Sequence, residues 1–221
     1  MSRFLEKQHY HLIAVIILLL TFQRLAALPG ALNGAYLGLT AAQWYWAAIW
    51  IAIAHQVYVM LVWRAELHYG APSRLLGDRA LSVFGIGFAL FSFARIGAPV
   101  GLAIATAGSL AWPRPLTITL ALISLLLTTA LMLSVARYFG FRRALGGDHF
   151  NPAYRTMPKA SGGLYDYVDN GMYIFGFFVF WFIAFAWSSL GALLVALFNH
   201  LYIWVHYYTT EKPDMARIYK S

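Results

Sequence analysis

Apolar residues fill six long stretches of the chain, at about residues 10–28, 42–63, 80–108, 115–138, 172–187 and 191–208, with short polar segments between them. A membrane-spanning helix needs about 20 predominantly apolar residues, so the pattern predicts an all-α integral membrane protein with about six transmembrane helices. Met172 to Tyr208 is almost continuously apolar and is punctuated only by Ser188-Ser189-Leu190-Gly191. A single helix of that length would extend about 55 Å at 1.5 Å per residue. The last two spans are therefore expected to form a tight helical hairpin.

The longest interruption is 140–173, GFRRALGGDHFNPAYRTMPKASGGLYDYVDNGMY, with six glycines and two prolines. This composition excludes one regular helix and predicts a folded loop. Gly146-Gly147 and Gly162-Gly163 would allow a ligand close to the backbone. There is no internal repeat and no linker-like segment, so the chain reads as one domain, 1–221. Residues 1–114 form helices without a recognised motif, and 115–221 hold the chemistry.

Charge adds orientation to this pattern. With six spans, both termini and the 140–173 loop share one side. That side collects thirteen of the sixteen basic residues (Arg3, Lys7, Arg64, Arg74, Arg79, Arg137, Arg142, Arg143, Arg155, Lys159, Lys212, Arg217 and Lys220) and all eight acidic ones. Arg24 and Arg114 fall on the other side, and Arg95 lies within the third span. Positive residues concentrate in cytoplasmic loops, so the termini and the working face are expected to be cytoplasmic, in a bacterial inner membrane or the endoplasmic reticulum. Arg3 and Lys7 before the first apolar run resemble a secretion signal, but Gln23 and Arg24 interrupt the place where cleavage would fall.

Composition agrees, at 61% hydrophobic and 11% charged residues. The formal net charge of +8 is spread over short loops, which points to topology and anionic lipid rather than nucleic acid. There is no cysteine, which excludes thiolate chemistry, and no carboxylate–histidine spacing suggests a metal. Trp44, Tyr45, Trp46 and Trp50 read as an interfacial belt. An intramembrane arginine such as Arg95 needs a partner or water.

Three blocks in the second half resemble one family. The run Gly163-Leu164-Tyr165-Asp166-Tyr167-Val168-Asp169-Asn170-Gly171-Met172-Tyr173-Ile174-Phe175-Gly176 is similar to the G-x-Y-x-x-x-R-H-P-x-Y-x-x-G signature of the isoprenylcysteine carboxyl methyltransferase and phospholipid N-methyltransferase superfamily. Its centre, Asp169 to Tyr173, resembles the D-N-P-M-Y form of the phospholipid branch. The ending Glu211-Lys212-Pro213-Asp214-Met215-Ala216-Arg217-Ile218-Tyr219 is similar to that branch's E-E-P-x-x-x-x-I-Y. Upstream, Gly140-Phe141 and Gly147-Asp148 resemble its glycine-containing helix end and G-D. The chain departs from the pattern with Gly171 for proline and Lys212 for the second glutamate. Met157 and Asn170 stand where the carboxyl-methylating branch has histidines, which argues against a prenylcysteine substrate.

The resemblance implies methyl transfer from S-adenosylmethionine to a membrane-embedded acceptor, foremost a phospholipid amine such as phosphatidylethanolamine or a methylated derivative. It implies cofactor contacts from Gly147, Asp148, Gly163, Tyr165, Asn170, Tyr173, Gly176 and Glu211. A sulfonium methyl is already activated, so the protein has mainly to align reactants and exclude water. Glu211 is the candidate carboxylate for a cationic cofactor, and His206 or His200 a candidate base for an amine. Arg142 and Arg143 suit a lipid phosphate. Asn199, Tyr202 and His206 recur at helical spacing and are expected to face a cavity that takes the acceptor. Alternatives are a carboxylate, thiol or other hydrophobic acceptor, or a non-enzymatic transporter or lipid-binding protein. A transporter would be marked by repeated halves and a midplane site.

Overall fold

The structure, a computed structural model, describes residues 3–158 and 160–219. Lys159 and Lys220, counted above with the basic side, lie outside the described residues. Among the described residues the regular structure is helical apart from a two-stranded antiparallel hairpin, β1 (Ala35–Tyr36) with β2 (Leu39–Thr40). The helices are α1 (Gln8–Leu25), α2 (Ala41–Tyr69), α3 (Ala71–Leu76), α4 (Ala80–Ala105) and α5 (Arg114–Ser134) in the first part. They continue with α6 (Phe141–Ala144), α7 (Gly147–Phe150), α8 (Gly171–Phe175), α9 (Phe178–Ala186), α10 (Leu190–His206) and α11 (Lys212–Ile218).

Five helical stretches are long and apolar enough to cross a membrane: Arg3–Leu25, Ala41–Tyr69, Ala71–Ala105, Arg114–Phe139 and Leu190–Ile218. The sixth expected span is different. Gly171–Ala186 is a shorter apolar stretch, broken into α8 and α9 at Gly176-Phe177. At 1.5 Å per residue it covers about 24 Å, short of a hydrocarbon core of about 30 Å.

α10 is the central helix. It packs against α1, α2, α4 and α9, and Gly191, Val195, Phe198, Asn199 and Tyr202 are buried along it. Ala48, Ala52 and Ala98 from α2 and α4 enter the same core, where small side chains let helices approach closely. Lipid-facing positions remain apolar, such as Leu12, Ile16 and Leu20 on α1 and Leu122, Leu126 and Leu133 on α5, all among the exposed hydrophobic residues. An exposed apolar surface of this kind fits a bilayer rather than water.

The turn between α9 and α10 is pinned from outside. Ser188 takes a left-handed conformation (φ 48°), and the Ser189 hydroxyl caps α10 by accepting from Ala192 N at 3.0 Å. Arg114 donates to Ser188 Oγ at 2.8 Å and to the Ala186 carbonyl at 3.0 Å. A cation on the last carbonyls of a helix is favourable for both hydrogen bonding and the helix dipole. This gives Arg114 a structural task on the end with few charges.

At the other end lie the α2–α4 connection, the 140–170 loop and the C-terminal turn. Two helices widen into π-turns there, Val135–Phe139 after α5 and Tyr207–Glu211 after α10. Pro213 follows the second and has no N–H to donate to the carbonyl of Thr209 four residues back. That carbonyl instead accepts from Arg64 Nη2 and Gln8 Nε2, each at 3.1 Å.

Candidate active site

The family blocks and the first-half helices enclose three cavities with shared walls. The largest, about 490 Å³, is lined among others by Trp63, Arg143, Asp148, Asp169, Tyr173, Glu211 and Tyr219. A smaller one of about 130 Å³ shares Phe139, Arg143, Asp169, Met172, Tyr173 and Glu211 with it and adds Tyr165 and Asn170. The third, about 160 Å³, reaches between α2, α4 and α10 and is lined by His55, Gln56, Arg95, Phe177 and His206 among others. It shares Trp63, Ala144, Met172 and Tyr173 with the largest. We refer to the first two as the outer chamber and to the third as the inner cavity.

Local structure explains how these side chains meet. The π-turn at Tyr207–Glu211 adds a residue to the helical circuit, and Glu211 lines the chamber at its end; such bulges are frequent at functional sites. Phe139 ends the other π-turn, stacks on Tyr165 at 5.3 Å and carries the Arg143 guanidinium at 5.2 Å over its ring. Gly146, at φ 80°, lies so close to Trp63 that a Cβ there would stand 2.5 Å from the indole. Trp63 in turn stacks on His149 at 4.4 Å.

Behind this wall is a buried ion pair. Arg64 Nε and Asp214 Oδ2 are 3.3 Å apart with neither side chain exposed, and His149 Nε2 lies 3.8 Å from the same carboxylate. Arg64 also donates to the carbonyls of Phe4 and Glu6, both at 2.8 Å. Its place near the end of α2 suggested a loop cation setting topology. The structure instead buries it as the fastening between the N-terminal segment, α2 and the C-terminal helix.

Among the described residues, buried side-chain atoms without a hydrogen-bond partner gather at the cavities. Arg143 Nε, Asp148 Oδ1, Tyr165 Oη and Glu211 Oε2 belong to outer-chamber residues, and His55, Arg95 Nη2 and His206 to the inner cavity. The others belong to His149 and Asp214, which face each other. Buried polar atoms are normally paired, and here the unpaired ones group around the cavities. Arg143 and Asp148 stand 3.9 Å apart across the wall. Burial pushes the Asp148 carboxyl above its usual range, partly opposed by Tyr219 and Arg143, and raises the Tyr165 phenol to about 12.

The residues expected from sequence divide clearly. Asp148, Tyr165, Asn170, Tyr173, Glu211 and Arg143 line the outer chamber, and His206 the inner cavity. Arg142 instead lines a separate surface pocket with Ser73, Asp78 and Asn151. The glycines expected to admit a ligand have protein neighbours. A Cβ on Gly147 would meet the Arg142 carbonyl at 2.8 Å, one on Gly163 Ser134 Oγ at 2.5 Å, and one on Gly176 the Met172 carbonyl at 2.5 Å. Asn199 and Tyr202 are fully buried and engaged elsewhere, Asn199 by Arg95 Nε at 2.7 Å and Tyr202 by His11 at 2.9 Å. His200 accepts from Trp181 at 3.0 Å, away from these cavities. Lys212 is exposed, its ammonium 5.3 Å over the Tyr208 ring, so this departure from the family pattern falls outside the chamber.

Sequence reading missed Trp63, Phe139, Arg155, Met172 and Met215 in the chamber wall, and the pairing of Arg95 with Asn199. Asp169 and Met172 stood inside a recognised block. The charge of Arg95 within a span marked it as needing a partner, but neither that partner nor the place of Trp63 had a local signal, since the residues they meet are distant in sequence.

The site is thus a polar chamber at one end of an apolar helical bundle, continuous by shared residues with a cavity between the helices. Residues 116–221 match the family model for phospholipid methyltransferase. Over that segment the chain has the pattern of the membrane methyltransferase superfamily, a family of enzymes, and every family block noted from sequence falls within it. No curated protein and no solved structure matches the chain.

Proposed function

We propose that this protein transfers a methyl group from S-adenosylmethionine to a phospholipid amine, such as phosphatidylethanolamine or a partly methylated form. The observation that carries this reading is the outer chamber. Its walls come largely from the segment that matches the phospholipid methyltransferase family, and its about 490 Å³ lies within the usual range for small-molecule sites.

The residues present fit the cofactor. Glu211 and Asp148 hold buried, unpartnered carboxylate oxygens suited to an α-amino group and a sulfonium. Phe139, Trp63, Tyr173 and Tyr219 offer aromatic faces for the adenine and for a cation. When bound, S-adenosylmethionine supplies a methyl carbon already bonded to a good leaving group. The chain's part is to hold the amine lone pair in line with that carbon and to keep water away. Trp63, Met172 and Tyr173, common to both cavities, form the junction where acceptor and donor meet. His206, beside the junction with both ring nitrogens unpartnered among the described residues, takes the proton that the ammonium must lose before attack. Glu211 holds the cationic donor. The basic residues gather at the chamber end, which supports a cytoplasmic site and cytoplasmic termini, with α8–α9 serving as a sixth, short span.

The test is transfer of labelled methyl from S-adenosylmethionine into defined lipids by purified protein. Label in phosphatidylethanolamine or its methylated forms is the expected result. Label confined to a carboxylate, thiol or other hydrophobic acceptor would replace the amine. No transfer and no cofactor binding would overturn the methyltransferase reading.

A further inference from the structure

The inner cavity has a charge character opposite to that of the outer chamber. Glu211, Asp148 and Asp169 line the chamber, whereas the inner cavity has no carboxylate among its lining residues and has Arg95 instead. Arg95 is 5% exposed. Its Nε donates to the neutral Asn199 amide oxygen at 2.7 Å, and its guanidinium carbon lies 5.1 Å over the Phe177 ring. Nη2 has no partner among the described residues, nor does either ring nitrogen of His55 or His206. A guanidinium and two imidazoles around one small space that no carboxylate lines supply several hydrogen-bond donors, each neutral imidazole adding one N–H beside its acceptor nitrogen.

We infer that the inner cavity is an oxyanion site that receives the phosphate of the acceptor lipid, with Arg95 as its anchor and His55 and His206 as further donors. This rests on the methyltransferase reading and extends it to how the acceptor is held. A guanidinium pairs with phosphate through two parallel hydrogen bonds, and Arg95 retains Nη2 for such a contact. The volume of about 160 Å³ equals the share of about five waters at about 30 Å³ each, enough for a phosphate-sized group. The polarity also fits a zwitterionic head group. Its cationic end would meet the acids of the chamber, its anionic end would meet Arg95, and Trp63, Met172 and Tyr173 would lie between. Arg95 lies outside the segment that matches the family, so the site joins the first half of the chain to the chemistry of the second.

The test measures saturable binding of labelled dodecyl phosphate to the full chain in uncharged detergent, beside dodecanol and inorganic phosphate. The wild type should bind dodecyl phosphate about tenfold or more tighter than dodecanol, and Arg95→Gln should abolish that preference. His55→Phe, which keeps the cation, should weaken it severalfold and serves if Arg95→Gln does not fold. Equal binding of phosphate and alcohol by the wild type, or an unchanged preference in a folded Arg95→Gln protein, would overturn the site. Inorganic phosphate binding as tightly as dodecyl phosphate would overturn the lipid as its source. Phosphate binding that persists while no amine lipid is methylated would sink the proposed reaction alone; methyl transfer without a phosphate preference would sink this inference alone.

Discussion

Arg64 and Arg95 are both buried arginines, yet their surroundings differ in kind. Arg64 is fully buried with every guanidinium nitrogen partnered, a carboxylate at Nε, two carbonyls at Nη1 and one at Nη2. Arg95 is paired to a neutral amide, lies against an aromatic ring, lines the inner cavity and has an Nη2 without a partner among the described residues. A charge taken out of water must be compensated. Where the protein supplies all of that compensation the residue is a fastening, and where it supplies part, a ligand can supply the rest.

The sharpest way to break this contrast is to remove Arg64. Arg64→Met leaves Asp214 buried without its cation, and breaking one side of such a pair costs about 3–5 kcal/mol. The expected outcome is loss of folded protein, followed by thermal unfolding in detergent; a folded, active Arg64→Met protein would remove the distinction. Next is Glu211→Gln, which keeps shape but replaces the carboxyl group that would ionise against the cofactor's cation with a neutral amide. Hydrogen bonds to charged groups are worth about 1.5–3 kcal/mol, so kcat/KM for methyl transfer should fall about 10–100-fold with the melting temperature maintained or raised.

Asp148→Asn sharpens the comparison through pH. Burial holds the folded carboxyl above its unfolded value of about 3.9. Its favourable contribution is therefore present below that value and is lost as pH rises through the raised folded one. The variant should melt higher than wild type at neutral pH, with the gain shrinking toward pH 4, while binding cofactor less well. Equal melting at both pH values would deny Asp148 this strain.

The smallest effect is expected at Gly171. A Cβ there would make ordinary contacts of 3.5 Å with Leu131 and Val168, and Gly171→Ala should stabilise by about 0.4–1 kcal/mol by restricting the unfolded chain. The family's proline is another matter, because Asn170 stands at ψ 40° and a following proline disfavours that region. Glycine at this position is consistent with the local backbone.

Much of the helical layout was legible, because span length and the Ser188-Ser189 break are local properties of composition. The chamber residues of the second half were legible for the same reason, since Asp148, Tyr173 and Glu211 each stand in a short recognisable block. What escaped was long-range or conformational. Arg95 and Asn199 are 104 positions apart, and no periodicity joins them. Charge counting ranks Arg64 by its position along the chain and cannot see its depth. The π-turns that end in Phe139 and Glu211 alter the helical register without a composition signal. The loop glycines stand against Tyr154, Tyr138 and Trp63, and of these only Trp63, together with Gly146, lines the chamber.

The missing N–H of Pro213 has a further consequence for biosynthesis. The Thr209 carbonyl that it leaves open is filled by Gln8 and Arg64, and Asp214 is met by Arg64 as well. These partners emerge from the ribosome long before the segment that needs them. The turn at residues 207–214 thus closes onto groups of α1 and α2 made well before it, so this corner of the chamber wall can form only after that segment has been synthesised.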